Sequence, residues 1–129
     1  MERMKAILLA LLLLMPLQAR EMMARVTYYW PNSGGQVGTT TSTGAKAVCG
    51  KTIAVDPKII PYGSKVTIPQ IGKTFKAVDT GSGVVARTAA KKLGRPDAIV
   101  VDVFCANKSI AMQRIKRYPL FMKVEIKEK

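Results

Sequence analysis

The feature of this sequence that most constrains its fold is a series of short β-rich runs separated by clusters of Gly, Pro, Ser and Thr. Such a pattern predicts an all-β barrel or sandwich. Apolar and polar residues alternate in 65–68 and 123–126, so each of these runs has one buried face. Residues 99–101 are apolar throughout, as expected of a strand buried on both sides in a small closed barrel. The strand-like runs are 24–30, 46–55, 65–68, 74–78, 84–86, 98–104 and 121–126.

Two further segments have the pattern of short helices. Residues 88–94 begin with a capping Thr and end with Gly, and residues 107–117 carry one apolar stripe that ends before Pro119. Residues 32–44 form a long Gly, Thr and Ser loop, which is either mobile or functional. We detect no internal repeat and no second domain, so we expect a mainly β fold with one or two short helices.

The N-terminus has the composition of an export signal. Residues 1–5 carry two cations and one anion, residues 6–14 are purely apolar, and the small residue Ala19 fits a signal-peptidase site. The apolar run is shorter than the roughly 20 residues that span a bilayer. We therefore predict a signal peptide at 1–19 and a barrel domain at 20–129, secreted or periplasmic and without a stable membrane span after cleavage. An uncleaved N-terminal anchor is the alternative.

The composition excludes several classes of chemistry. The chain of 129 residues has no His and two Cys, so it cannot form a Ser-His-Asp triad, a Cys-His dyad or a four-thiolate zinc site. It has no GxxxxGK[ST] phosphate-binding loop, and we expect neither a cofactor nor a metal. Any chemistry must therefore use carboxylates, hydroxyls, amines or a thiol.

The chain is strongly basic, with 21 Lys and Arg against 8 Asp and Glu and a net charge of +13 at pH 7. Its cations are scattered rather than interleaved with aromatic residues on one element, so nucleic acid is not expected as a partner. Outside the cytoplasm, such a charge attracts anionic cell-wall polymers and lipid headgroups. A merely solubilising surface is the alternative.

The two cysteines, Cys49 and Cys105, flank strand-like segments. Cysteines in an oxidising compartment most often pair, so we predict a disulfide between them, with two buried thiols as the alternative. Because no His is present to activate it, Cys105 is not expected to be a nucleophile.

Asp56, Asp79 and Asp102 each end an apolar run or lie inside one. A partly desolvated carboxylate is costly unless it is hydrogen-bonded. If the strands are neighbours, the three carboxyl groups converge on one cleft, where like charges raise at least one pKa. The alternative is structural, since Asp56 and Asp79 also stand at positions typical of turns.

The stretch TIAVDPKIIPYGSKVTIPQIGKTFKAVDTGS at 52–82, followed by IVVDVF at 99–104, resembles the three-aspartate (3D) domain. The loop at 41–46 looks like the T-x-S-G-x-K element of that family. The family is a six-stranded double-psi β-barrel of secreted bacterial cell-wall proteins. It is related to the catalytic domain of membrane-bound lytic transglycosylase A and to stationary-phase resuscitation factors. The resemblance covers about 28–126 and implies the same fold here.

The resemblance also implies cleavage of peptidoglycan glycan strands by lytic transglycosylation. One carboxylic acid protonates the glycosidic oxygen and then removes the proton from the muramic-acid 6-hydroxyl, which attacks to give a 1,6-anhydro product. Asp102 matches this acid/base, and Asp79 matches its close partner. The remaining expected substrate-binding residues are Asp56, which shapes the cleft, Thr80 and Gly81, which bind sugar hydroxyls, Lys46, which orients a carboxylate, Ser42 in the matching loop, and Tyr29 and Trp30 as stacking faces.

The sequence departs from the family pattern between Asp79 and Asp102, where 22 residues intervene, more than in most members. These residues either form a surface excursion or cover the groove. The first hypothesis is therefore a lytic transglycosylase-like enzyme acting on peptidoglycan. The alternatives are a non-catalytic wall-binding or wall-loosening barrel of the expansin-like type and a basic adhesive protein without a defined site, which the fold alone does not separate.

Overall fold

A computed structural model describes residues 19–33 and 39–129. The predicted signal peptide lies outside the described residues except for Ala19, as does the 34–38 part of the predicted loop. The strands are β1 Arg20–Tyr29, β2 Thr52–Ala54, β3 Lys65–Ile68, β4 Lys73–Asp79, β5 Ile99–Phe104 and β6 Phe121–Lys127. The described ranges also contain three helices, α1 Ser82–Val85, α2 Thr88–Lys91 and α3 Lys108–Arg117. None of the helices in these ranges is long and apolar enough to cross a membrane.

The strands close into a barrel in the order β1-β5-β2-β4-β3-β6. β1 pairs in parallel with β5, β2 pairs in parallel with β4, and the other neighbours are antiparallel. Exchanging β1, β2 and β3 for β4, β5 and β6 leaves this set of neighbours unchanged, so the topology has an internal two-fold pattern. The predicted fold class, a mainly β, six-stranded double-psi barrel, is confirmed, and the described ranges contain three short helices where one or two were predicted.

The barrel interior is filled by the apolar residues that alternate along the strands. Val66 and Ile68 of β3 meet Phe75 of β4 and Val124 and Ile126 of β6 in one buried cluster. Burying each such side chain contributes roughly 1.5–3 kcal/mol relative to leaving it in water. The alternation fixes which face of each strand turns inward.

A second apolar cluster lies on the outer side of the barrel wall. Val100 and Phe104 of β5 and Ala54 of β2 pack there with Val84 of α1 and Ala90 near the middle of α2. This cover explains why β5 is buried on both faces, as its sequence predicts. The same packing holds α1 and α2 against the part of the barrel wall that contains Asp79 and Asp102.

Two sequence predictions of local structure are wrong. The run 84–86 is not a strand, because residues from Ser82 form a helical turn in which Val85 N donates to Gly81 O (3.0 Å) and Val84 is buried against β5. The run 46–55 is a strand only at its end, because a turn closed by Thr52 N donating to Val48 O (3.0 Å) interrupts it. That turn needs a left-handed residue, which is supplied by Gly50 (φ 81°).

The predicted disulfide is not present, since Cys49 and Cys105 are both free thiols. Cys105 is fully buried after β5, where its Sγ donates to Val103 O (3.8 Å). Cys49 packs separately against the outer apolar cluster. Of the alternative, two buried thiols, the structure supports the free thiols, but only Cys105 is buried and Cys49 is half-buried.

Candidate functional site

Three neighbouring strands bring Asp79 and Asp102 to the same part of the barrel wall. Asp79 is the last residue of β4, Asp102 lies inside β5, and β2 lies between them. Ala54 of β2 is the register partner of both aspartates. Because adjacent strands are about 4.8 Å apart, the two aspartates stand two strand spacings apart, with only a methyl side chain between them.

A β-bulge in β4 gives Asp79 its direction. The pairing with β2 steps from Ala77 directly to Asp79, so Val78 is an extra residue on β4. Phe75 and Ala77 fill the barrel interior, and strict alternation would turn Asp79 inward with them. The extra residue reverses the alternation, so Asp79 faces the outer side together with Ala54, an effect that bulges commonly have beside active sites.

The Asp79 carboxylate is held by four hydrogen bonds and is only 5% exposed. Its Oδ2 accepts from the Tyr29 hydroxyl (2.8 Å). Its Oδ1 accepts from the backbone N (2.9 Å) and the hydroxyl (2.7 Å) of Ser42, and from Thr80 N (2.9 Å). Burial, together with the bond to Asp79, raises the pKa of Tyr29, which therefore remains a donor. These contacts fix the position of the Asp79 carboxyl group.

Asp102 has a different environment from Asp79. Its Oδ1 accepts from the Thr27 hydroxyl (2.9 Å) on the neighbouring strand β1, and no partner of Oδ2 is described among residues 19–33 and 39–129. Burial raises the pKa of Asp102 to about 6, the negative charge of Asp79 adds to that rise, and the bond from Thr27 opposes it. Asp102 is therefore a carboxyl group that can both donate and accept a proton near neutral pH.

Both aspartates line an open groove with a volume of about 440 Å³. Thr80 and Gly81 line it beside Asp79, and the Thr80 hydroxyl is buried with no hydrogen-bond partner among the described residues. Another part of the lining is formed by Thr88, the first residue of α2, and by Lys92, which directly follows α2. The extra residues between the two aspartates thus form one wall of the groove, and the groove remains open.

The structure separates the other residues expected in the site. Ser42 contributes through its bonds to Asp79, whereas Lys46 is exposed, pairs with Thr40 and does not line the groove. Asp56 also lies outside the groove lining, and its Oδ1 accepts from Lys58 N (3.0 Å) within a turn. This is the structural alternative that the sequence left open for the first aspartate.

Neither expected stacking residue presents a free ring face to the groove. The ring of Tyr29 is buried and packs edge-on against Phe104, with centroids 5.3 Å apart. Trp30 lines a different hollow together with Tyr28 and Tyr118. Tyr29 is therefore a positioning residue for Asp79, and Trp30 lies apart from the two carboxylates.

Sequence reasoning missed three residues of the groove. Thr27 orients Asp102, Ala54 leaves space between Asp79 and Asp102, and Lys92 adds a cation to the lining of the groove. Only Thr27 had a visible signal, because it is a polar residue inside an apolar run. The roles of Ala54 and Lys92 depend on strand order and on how α2 packs, neither of which appears in the sequence.

The fold and the groove define a class of protein: a closed six-stranded β-barrel that carries a buried, hydrogen-bonded carboxylate and a protonatable one on the same open wall. No protein-family model matches the chain. The chain is similar to the cell wall-binding protein YocH of Bacillus subtilis (strain 168), with 35% identity over 96 residues. The matched region is 72% of this chain, but the chain spans only 29% of the length of that relative.

Proposed function

We propose that this protein associates with the bacterial cell wall and cleaves peptidoglycan glycan strands as a lytic transglycosylase, with Asp102 as the acid/base. The observation that carries the proposal is the state of Asp102, whose pKa is raised to about 6 by burial and by the charge of Asp79. A general acid/base works best with a pKa near the working pH. The similarity to a cell wall-binding protein supports the location.

In this mechanism Asp102 acts twice. As a carboxylic acid, it gives its proton to the glycosidic oxygen as the bond to the muramic-acid C1 breaks. As a carboxylate, it then takes the proton of the 6-hydroxyl of the same sugar, whose oxygen bonds to C1 and closes the 1,6-anhydro ring. The nucleophile is the 6-hydroxyl of the substrate itself. The carboxylate nucleophile that the usual retaining scheme requires from the protein is therefore not needed.

The neighbours of Asp102 have supporting roles. Asp79 lies on the same wall, where a carboxylate favours the positive charge that develops on the sugar ring. The Thr27 hydroxyl orients Asp102 through the bond to its Oδ1. Thr80 and Gly81 line the groove beside Asp79, where they would contact a bound sugar.

A second candidate function is binding to the wall without cleavage. It is favoured by the similarity to YocH, a cell wall-binding protein. In that case the same groove would hold a glycan strand, and Asp79 and Asp102 would accept hydrogen bonds from its hydroxyl groups. The two candidates differ only in whether the proton of Asp102 is transferred.

The test is digestion of purified sacculi followed by mass spectrometry of the released fragments. We expect 1,6-anhydro-muropeptides from the native protein and at least about a hundredfold less from Asp102→Asn, which is the loss expected for a general acid/base. Asp97→Asn is the matched control, because Asp97 is an exposed aspartate paired with Arg95 (3.2 Å) and does not line the groove.

The outcomes separate the two candidates. Equal release by native protein and Asp102→Asn would reject Asp102 as the acid/base. Sedimentation of the native protein with sacculi, without anhydro products, would support binding alone. Loss of sedimentation in Asp79→Asn but not in Asp97→Asn would then place the binding site in the groove.

A further inference from the structure

A second hollow, of about 770 Å³, lies on the outer wall of the barrel and shares no lining residue with the groove. Its lining includes Lys51, Lys65, Lys76 and Lys127. The mechanism proposed above uses none of them. The hollow is therefore a separate feature of the molecule, formed by β3, β4 and β6.

The strand register places three of these lysines in one line. Lys65 of β3 is the partner of Lys76 on β4 and of Lys127 on β6. Lys51 directly precedes β2, whose first residue, Thr52, is the register partner of Lys76. Lys51 therefore lies beside the end of the line rather than in register with it, and its carbonyl accepts from Lys76 N (2.7 Å). All four residues are exposed. We call these four residues the lysine row; its three members in register, Lys76, Lys65 and Lys127, succeed one another at about 5 Å, the spacing of neighbouring strands.

Glu125 is the acidic residue that lines the hollow, and no member of the lysine row forms an ion pair within the described part of the chain. The ion pairs found there are Arg20–Glu128, Arg95–Asp97 and Lys123–Glu21, none of which uses a member of the row. Like charges directly opposite each other on neighbouring strands destabilise a sheet. A ligand that carries several negative charges in a line would remove this repulsion at each position.

The chemistry of the hollow favours one kind of polyanion. Lys binds phosphate as a point charge that needs no bidentate geometry, and the row offers several such charges in succession. The paired hydroxyl groups of Thr67 and Thr74 (2.8 Å apart) lie in the same hollow and can bond to phosphate or polyol oxygens. A linear phosphodiester polymer satisfies both features.

Two other polyanions fit less well. Single-stranded nucleic acid binds through stacking on aromatic faces, but Phe75, which lines the hollow, points into the barrel core and is 1% exposed. An anionic membrane surface favours apolar residues that insert beside the cations. The exposed large apolar residues of the described chain, such as Met23, Leu93 and Leu120, do not line the hollow.

We propose that the lysine row is a binding site for a linear polyol-phosphate polymer, distinct from the groove and independent of the reaction proposed there. The polymer lies across the strands, and each lysine neutralises one phosphate. Binding at this face would hold the protein beside a wall that carries such polymers, while the groove stays open to a second ligand.

The test is the affinity of the purified full chain for a fluorescent poly(glycerol phosphate) of about twenty units, measured by anisotropy at several salt concentrations. We expect the Lys65→Gln/Lys76→Gln/Lys127→Gln variant to bind at least about tenfold more weakly near 0.1 M salt. The slope of log K against log salt should become less steep by about two, since three phosphate contacts of a single strand are lost.

The matched control is Lys91→Gln/Lys108→Gln/Lys116→Gln, which removes the same charge from exposed positions outside the hollow. An equal loss in this control would overturn the proposal, because net charge alone would then explain binding. Tighter binding of a single-stranded oligonucleotide or of phosphatidylglycerol vesicles would overturn the choice of ligand. If the triple variant fails to fold, Lys65→Gln alone should weaken binding about threefold. Asp102→Asn should bind the polymer as tightly as the native protein, which keeps this test separate from that of the groove.

Discussion

At Asp102, burial and a neighbouring charge act in the same direction. Desolvation raises the pKa of the side chain to about 6, and Asp79 adds to the rise. The bond from Thr27 is the opposing contribution. The folded chain therefore retains a proton that an unfolded aspartate, with a pKa of about 3.9, releases at lower pH. The same shift that suits Asp102 to proton transfer costs the protein stability.

This cost makes a prediction about the pH dependence of unfolding. Between about pH 4 and pH 6 the folded state binds more protons than the unfolded state, so the contribution of Asp102 to the free energy of unfolding falls as pH rises. The total loss is about 3 kcal/mol for a shift of this size. Asp102→Asn removes the titration while its side-chain oxygen can still accept from Thr27. The variant should match the native protein below pH 4 and exceed it by about 3 kcal/mol above pH 6.5.

Urea denaturation at a series of pH values measures this difference. Asp97→Asn serves as the control, because Asp97 is fully exposed and the bond from Arg95 lowers its pKa. Parallel stability curves for the native protein and Asp102→Asn would contradict the shifted pKa.

For Asp56 we expect that substitution by Asn has little effect on either activity or stability. Its side chain caps a turn by accepting from Lys58 N, and an Asn side chain offers an oxygen in the same position. Asp56→Asn should therefore retain muropeptide release within about twofold of the native protein and lower stability by less than about 0.5 kcal/mol. A loss comparable to that of Asp102→Asn would show that all three aspartates act in one site.

Among the elements, those with clear alternation were predicted most accurately. The run 65–68 coincides with β3, and 121–126 misses only the last residue of β6. In both strands one face is buried, so the pattern itself specifies the structure. The run 84–86 was misread because the burial of Val84 in α1 depends on β5, which lies elsewhere in the sequence.

The bulge in β4 is the element that the sequence could not reveal. Nothing in the residues 73–79 marks Val78 as an extra residue, since it continues an ordinary strand pattern. Its presence depends on pairing with β2, which is three residues long and follows a turn. The three motif aspartates were therefore visible in the sequence, but the geometry that joins two of them and excludes Asp56 was not.

The position of Lys65 on β3, between Lys76 and Lys127, leads to a prediction about stability. Lys65 faces a lysine on each side, and such pairs cost about 0.2–1 kcal/mol each. Lys65→Thr should therefore raise the free energy of unfolding by about 1 kcal/mol at low salt. Most of this gain should disappear in 1 M salt, where charges are screened within about 3 Å.

Lys123→Thr is the matched control for this change, because Lys123 is also on an exposed strand position but pairs with Glu21 (3.4 Å). It should bring no gain from relieved repulsion at low salt. A gain in Lys65→Thr that is the same at all salt concentrations would contradict the charge argument and point to strand propensity alone.

For the whole molecule, closure of the barrel was predictable and its symmetry was not. Short strand-like runs and turn residues indicate a barrel or sandwich, and the motif resemblance selected the double-psi form. The exchange of β1, β2 and β3 with β4, β5 and β6 is a relation between strand neighbours, and we detected no repeat in the sequence that corresponds to it. The groove and the lysine row occupy different parts of the resulting wall.

Closure also bears on the need for a covalent crosslink. A barrel has no open edge, so each strand is paired on both sides and packed against the apolar interior. With Cys49 and Cys105 unpaired, the protein should melt at the same temperature with and without dithiothreitol. A crosslink between these positions would contribute roughly 4 kcal/mol, and its loss would lower the melting temperature by more than about 10 °C in a domain of this size.

Thiol titration gives an independent measurement of the same prediction. Burial raises the pKa of Cys105 to about 11, so its thiol should react slowly in the folded protein, since the thiolate is the reactive form. Unfolding without reductant should then expose two reactive thiols per chain. Fewer than one thiol, together with a fall in melting temperature on reduction, would mean that the crosslink forms after all and that closure alone does not hold the barrel together.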